Sequence, residues 1–211
     1  MRVRNNPNAK SELAQCNKYI ENKEYLQKIL KSFDKKIAIE IGMGKGQFIT
    51  NMSYKNSDII YIGIEISKTV LNLAAKKIKR FEEENKINLS NLYIMSFDAS
   101  ELCNIFNNNQ VDIIYLNFSD PWPKKKHEKR RLTNKNFLKI YKNILKKDGK
   151  IEIKTDNRCL FEYTILSITN SKYFKINEIY LDLHKENIEN VMTEYEEKFY
   201  TKGPIYKMIV S

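Results

Sequence analysis

The chain of 211 residues is 42% hydrophobic, enough to bury the core of one ordinary domain, and carries 37 Lys and Arg against 26 Asp and Glu, a formal charge of +11. That excess favours polyanionic partners, nucleic acid first, although a lysine-rich composition alone produces such a charge, so its placement decides more than its sum. Three separated cysteines, Cys16, Cys103 and Cys159, and two histidines exclude a disulfide framework and a zinc site, and no apolar run is long enough to cross a bilayer or act as a signal segment. A cytoplasmic protein with reduced thiols and no metal is expected.

Residues 1–17 read as an irregular basic arm. Residues 19–33 place Tyr19, Leu26, Ile29, Leu30 and Phe33 among charges at helical spacing, which predicts an amphipathic helix. Short β-branched or aromatic runs then follow at 37–42 (IAIEIG), 58–65 (DIIYIGIE), 91–98 (NLYIMSFD), 111–118 (VDIIYLNF) and 150–156 (KIEIKTD), each closed by a polar or glycine-bearing turn. Helical patterns separate them: Ser67 as N-cap before Val70, Leu71, Ala74, Ile78 and Phe81, then Phe137, Leu138, Tyr141, Ile144 and Leu145 before a stop at Asp148-Gly149. After a helix near 160–168, residues 174–184 and 205–211 predict two more strands, with room for one short helix around 193–200. The alternation predicts an α/β fold with a mainly parallel seven-stranded sheet flanked by helices on both faces. No linker or repeat breaks the chain, so 1–211 is expected as a single domain.

The stretch IAIEIGMGKGQF runs a strand into Gly42, Gly44 and Gly46 and then into a helix. Glycines there allow a tight bend and let a ligand approach without a Cβ in the way. The spacing G-x-G-x-G departs from the G-x-G-x-x-G of dinucleotide sites, so a nicotinamide cofactor fits less well. Glu65 ends the second strand, where an acid accepts both hydroxyls of a ribose, and Glu40 precedes the glycines, where it faces a cationic group. A nearby anion is awkward for a pyrophosphate and suits S-adenosylmethionine, which carries an ammonium and a sulfonium and no phosphate. Asp98 closes the third strand and either reaches the adenine amino group or, with Ser100, caps the helix containing Leu102 and Phe106.

The stretch NFSDPWPKKKHEKRR follows the fourth strand, and ligands in open α/β sheets bind beyond the carboxyl ends of strands. Pro121 and Pro123 disfavour helical geometry at Asp120 and Trp122, which predicts an extended, stiff corner presenting the Asp120 carboxylate. Trp122, the only tryptophan, either stacks on a purine or packs the corner. Lys124, Lys125, Lys126, Lys129, Arg130 and Arg131 oppose only Glu128. Such a run is ordinarily a solvated face, but beside a ligand-bearing corner it can hold a phosphate backbone while one base enters the site.

With D-P-W-P-K-K-x-H-x-K-R-R at 120–131, E-I-G-x-G-K-G at 40–46, I-E ending at Glu65, T-D-N at 155–157 and T-x-Y-E at 193–196, the chain resembles the bacterial tRNA (guanine-N7-)-methyltransferases. The resemblance implies the Rossmann-like class I methyltransferase fold and transfer of a methyl group from S-adenosylmethionine to N7 of a guanine in tRNA, in the variable loop, forming 7-methylguanosine. It implies that Glu40, Gly42, Gly44, Gly46, Glu65, Asp98 and Asp120 bind the cofactor and that Asp120 is catalytic. Lys124, Asp156, Thr193, Tyr195 and Glu196 would contact the substrate, and Lys126, His127, Lys129, Arg130 and Arg131 the RNA. The N-terminal R-x-R-x-x-P-x-A pattern is present as Arg2, Arg4, Pro7 and Ala9, with Asn8 where the family has tryptophan. No obligate protein partner is expected, and the chain would act as a monomer or homodimer.

Some of these residues have local explanations too. Asp156 or Asn157 suits a helix cap, and Thr193-x-x-Glu196 is a capping box in its own right. A carboxylate can nevertheless accept from the N1 and exocyclic amino protons of guanine, which makes Asp156 the candidate specificity residue. Two rival readings remain. An exocyclic-amine methyltransferase typically places two adjacent prolines after the acid or Asn, and Trp122 separates them here. A non-catalytic RNA-binding module would tend to lose Glu40, Glu65 or Asp120, and all three are present.

Overall fold

The computed structural model describes residues 4–211, so the expected contribution of Arg2 lies outside the described residues. These residues fall into two compact units, the first ending at Ile105 and the second spanning Phe106–Ser211.

In the first unit, β2 (Lys36–Ile41) pairs in parallel with β3 (Ile59–Ile64), which pairs in parallel with β4 (Leu92–Met95). Five of the six residues of β2 and of β3 are buried, the near-continuous apolar run of strands covered on both faces. The helices α3 (Gln47–Lys55) and α4 (Lys68–Asn85) follow β2 and β3 in the chain. Ser67 caps α4 by accepting from the Val70 amide, and Leu71, Ala74 and Ile78 are its buried stripe.

Two N-terminal expectations are corrected. The helix expected over 19–33 is shorter: Tyr19–Ile20 form β1, parallel to β4, and α2 begins at Lys23 and ends at Lys31, behind an Asn22 cap that accepts from the Tyr25 amide. The Asn22 side chain competes for the backbone and stops the helix from reaching Tyr19. Residues 1–17, expected as irregular, contain α1 (Ala9–Ala14), with Ala9 and Leu13 buried. Glu12 fastens α1 to α4, receiving Lys76 Nζ at 2.5 Å and Asn72 Nδ2 at 2.8 Å, while the Asn6 amide donates to Thr69 Oγ1.

In the second unit, β5 (Val111–Asn117) pairs in parallel with β6 (Leu145–Thr155), and β8 (Tyr206–Val210) lies between β6 and β7 (Ile176–Tyr180), antiparallel to both. The predicted helix ends at Ile144, earlier than Asp148-Gly149, and α6 (Lys135–Ile144) passes directly into β6. The Asp-Gly pair marks a bulge instead. The register jumps from Val111↔Leu145 to Ile113↔Lys150, and a Cβ on Gly149 would stand 3.0 Å from the Lys146 carbonyl oxygen. The helix α7 (Arg158–Ser171) starts behind Asn157, whose side chain accepts from the Leu160 amide. The described residues thus hold eight strands, mainly in parallel pairs, against the seven expected; the additional one, β1, is two residues long and has no period to betray it.

Candidate active site

In the first unit, the loop between β2 and α3 is shaped by Gly42, Gly44 and Gly46, at φ of 76°, 56° and 78°, where side chains other than glycine are strained. Their tasks differ. A Cβ at Gly42 or Gly44 would meet nothing within 4 Å, so these two keep backbone open to an approaching molecule. A Cβ at Gly46 would come 2.7 Å from Met43 Cε, so Gly46 makes room for a buried methionine. The same side chain explains Gly63, where a Cβ would fall 2.1 Å from Met43 Sδ.

Glu65 is held by this loop. Its Oε2 accepts from the Gly44 amide at 3.2 Å and its Oε1 from the Ser67 amide at 3.0 Å, which fixes the carboxylate. Beside it Ile66 is 67% exposed, an apolar surface next to an acid that the strand pattern did not single out. Glu40 is buried at 2% exposure in β2, in register with Gly63. Open backbone, a fixed carboxylate and a buried one form a donor set matching a ribose and a cationic group, the parts of S-adenosylmethionine. Asp98 is exposed, and its Oδ1 accepts from the Ser100 amide at 2.8 Å and hydroxyl at 2.7 Å, so the capping geometry is realised.

In the second unit, the corner after β5 is not extended. Phe118 and Trp122 both take positive φ, 49° and 42°, which for non-glycine residues costs on the order of 1–3 kcal/mol each. The surroundings impose it: the Phe118 amide donates to the Lys154 carbonyl at 2.8 Å, and Arg131 donates from Nε to the Pro121 carbonyl and from Nη2 to the Trp122 carbonyl, at 3.0 and 3.1 Å. Pro123 disfavours right-handed helical geometry at Trp122, and the chain turns left-handed instead of extending, with the Pro121 and Trp122 carbonyls held by Arg131. Asp120 is exposed between the two strained residues.

The basic run that follows is a 3-10 turn over Lys125–Arg130. Lys124, Lys125, Lys126, Lys129 and Arg130 are exposed. Two residues expected to face RNA are engaged with Trp122: the Arg130 guanidinium lies 4.8 Å from its ring and the His127 ring 5.7 Å away. Trp122 is therefore packed within its own corner. Arg131 is turned inward, over the Tyr163 ring at 4.2 Å.

Asp156 and Tyr195, 39 residues apart, are brought together: the Tyr195 hydroxyl donates to Asp156 Oδ2 at 2.9 Å. Burial and then the Asp156 carboxylate raise the Tyr195 pKa, so it remains a donor. Its ring sits 5.0 Å from Phe118 and 4.4 Å from Phe199, joining the strained corner to α8 (Glu194–Phe199). The helix α8 opens on the expected capping box, Thr193 Oγ1 accepting from the Glu196 amide.

Glu196 itself is fully buried. Its oxygens accept from Lys154 Nζ at 2.6 Å, Asn190 Nδ2 at 2.7 Å and the Thr193 amide at 3.4 Å, with His184 Nε2 at 3.0 Å. A carboxylate so enclosed is not open to a substrate, so direct contact at Glu196 gives way to an anchoring role. Lys154 and His184 went unnoticed as its partners because a lysine in a strand and a lone histidine carry no sequence signal.

Residues 34–208 match the family model described as "Putative methyltransferase". The tRNA (guanine-N(7)-)-methyltransferase of Streptococcus pyogenes serotype M6 is 53% identical over 174 residues, 82% of this chain and 79% of that protein, and its serotype M1 counterpart matches to the same extent. The chain belongs to the tRNA (guanine-N(7)-)-methyltransferase family. Solved structures share the methyltransferase fold: an antibiotic related methyltransferase with TM-score 0.65, 22% identity and coverage of 90% of this chain and 94% of that one. A 16S rRNA (adenine(1408)-N(1))-methyltransferase variant with cosubstrate SAM, from Catenulisporales acidiphilia, has TM-score 0.65, 10% identity and coverage of 90% and 91%. Among the described residues no group of three His, Cys, Asp or Glu is placed to hold a metal, and no helix is long and apolar enough to cross a membrane.

Proposed function

We propose that this protein, as one methyltransferase domain, methylates N7 of a guanine in tRNA, in the variable loop by family analogy, using S-adenosylmethionine and forming 7-methylguanosine. The observation that carries the reading is the 53% identity to a curated tRNA (guanine-N(7)-)-methyltransferase over 82% of the chain. It acts where tRNA is made and used, in the cytoplasm, as a monomer or homodimer without an obligate partner.

Gly42 and Gly44 leave backbone open to the cofactor, Glu65 accepts its ribose hydroxyls, Glu40 faces its cationic end, and Asp98 completes the set beside its capping bonds. When bound, S-adenosylmethionine supplies a methyl group carried on a sulfonium. N7 of guanine has a lone pair and no proton, so no residue need act as a base before attack, and the chain's task is alignment. Asp120 stabilises the positive charge that develops on the guanine ring. Asp156 accepts from the N1 and exocyclic amino protons of guanine, with the Tyr195 hydroxyl holding its carboxylate, and Thr193 and Lys124 contact the substrate by family analogy. Because N7 is engaged in the folded tRNA, the base must be drawn out, and the exposed Lys124, Lys125, Lys126, Lys129 and Arg130 offset that cost through the phosphates.

The test is incubation of the purified protein with methyl-labelled S-adenosylmethionine and unmodified tRNA transcript, then nucleoside analysis. Label in 7-methylguanosine is expected. Label in another nucleoside overturns the N7 assignment, and absence of cofactor binding by calorimetry favours a non-catalytic RNA-binding module.

A further inference from the structure

Of the cations after the Asp-Pro-Trp-Pro corner, Arg131 alone combines partial burial with a bond to the corner at each end of its fork: Nε to the Pro121 carbonyl, Nη2 to the Trp122 carbonyl. Its guanidinium plane rests on the Tyr163 ring. That ring is fixed in turn, since the Tyr163 hydroxyl donates to Glu128 Oε1 at 3.2 Å and accepts from Asn134 Nδ2 at 2.9 Å. Thr133 and Thr164 share a buried hydroxyl contact at 2.9 Å, and Ser167 Oγ donates to the Thr133 carbonyl, so the whole segment after the corner is bolted to α7.

Asp120, by contrast, is exposed, and among the described residues no side chain bonds its carboxylate. Its direction is set by the backbone on either side, and the peptide units that follow are the ones Arg131 grips. Arg131 is half-buried, with Nε and Nη2 given to two carbonyls of the left-handed Trp122 turn and a face of the guanidinium to the Tyr163 ring, so its placement is set by the corner and by α7. We propose that Arg131 is a positioning residue for Asp120 and does not serve as an RNA phosphate ligand: its two-point grip holds the strained corner in the one conformation that presents the carboxylate. A lysine keeps the charge but offers a single rotating ammonium in place of the planar fork.

This rests on the methyltransferase reading, so wild type and variants are assayed together. Arg131→Lys is expected to lower kcat at least tenfold, with tRNA Kd within about twofold of wild type and the same dependence of log Kd on log salt. Lys126→Ala and Lys129→Ala are expected to weaken tRNA binding and to reduce the salt slope by about one each, the signature that Arg131→Lys should lack. Should Arg131→Lys fail to fold, Tyr163→Leu removes the platform without touching any cation and is expected to lower kcat in the same way. Unchanged kcat in the folded variants, or an Arg131→Lys defect confined to tRNA Kd with a shallower salt slope, overturns the proposal. Failure of wild type itself to form 7-methylguanosine overturns the underlying reading instead.

Discussion

Lys154 and Glu196 stand 42 residues apart in the chain and 2.6 Å apart in space, with the lysine side chain 5% exposed and the glutamate 0%. The pair ties the end of β6, two residues before Asp156, to the helix that carries Tyr195. Lys154 Nζ also donates to the Val191 carbonyl and Asn190 Oδ1, so a single ammonium gathers the segment leading into α8.

Removing one member of such a pair strands the other. Lys154→Met leaves a buried carboxylate and Glu196→Gln a buried ammonium, and each is expected to cost about 3–5 kcal/mol. Urea unfolding measures both. A Lys154→Met cost below 1 kcal/mol would mean that the carboxylate escapes to solvent and that the anchor is dispensable.

The glycines of the cofactor loop separate by purpose. Gly44→Ala meets no atom and should cost only backbone strain, about 1–2 kcal/mol, yet weaken S-adenosylmethionine binding more than tenfold by calorimetry. Gly46→Ala runs into Met43 and is expected to lose about 1–3 kcal/mol through overpacking. Equal cofactor affinity in wild type and Gly44→Ala would remove that loop from the cofactor site.

At the guanine-reading pair, Asp156→Asn replaces a charged acceptor with a side chain that also donates, and methylation should fall roughly 10- to 100-fold. Tyr195→Phe keeps both ring contacts and loses one hydrogen bond worth about 1 kcal/mol, near a fivefold loss in kcat/KM. If the tyrosine variant suffers more than the aspartate variant, the hydroxyl and not the carboxylate is the contact to guanine.

Acid should loosen the N-terminal helix. Glu12 is held down to about 2, against an ordinary 4.5, by bonds from Lys76, Asn72 and Asn6, which outweigh the opposing effect of burial, with the Lys76 charge adding to them. A depressed carboxylate contributes stability above its unfolded pKa and loses it as pH falls through the folded one, so α1 should detach between about pH 4.5 and pH 2. Hydrogen exchange of the amides of residues 9–14 against those of α4 follows this directly, and Glu12→Gln should abolish the pH dependence. Exchange that stays flat across the window in the wild type would exclude Glu12 as the fastening.

The longer strands, the caps at Ser67, Asn157 and Thr193, and the place of the glycine turn were legible in the sequence, and so was the position of the Asp120 corner, though its prolines predicted an extended chain where Phe118 and Trp122 take positive φ. Each is a local signal, carried by a repeat of apolar residues, a capping side chain or a proline and glycine at fixed offsets. What the tertiary structure alone decided is where long side chains point and which distant residues meet. Arg131 looks like its neighbours in the sequence and is instead bonded to the corner; Glu196 reads as a capping residue and proves to be a buried anchor as well; Trp122, half-buried, has Arg130 and His127 against its ring. The two-residue β1 exists only because β4 offers it a partner. The physical reason is common to all of them: hydrogen bonds and ion pairs act over about 3 Å, and only the folded chain brings groups dozens of residues apart within that distance.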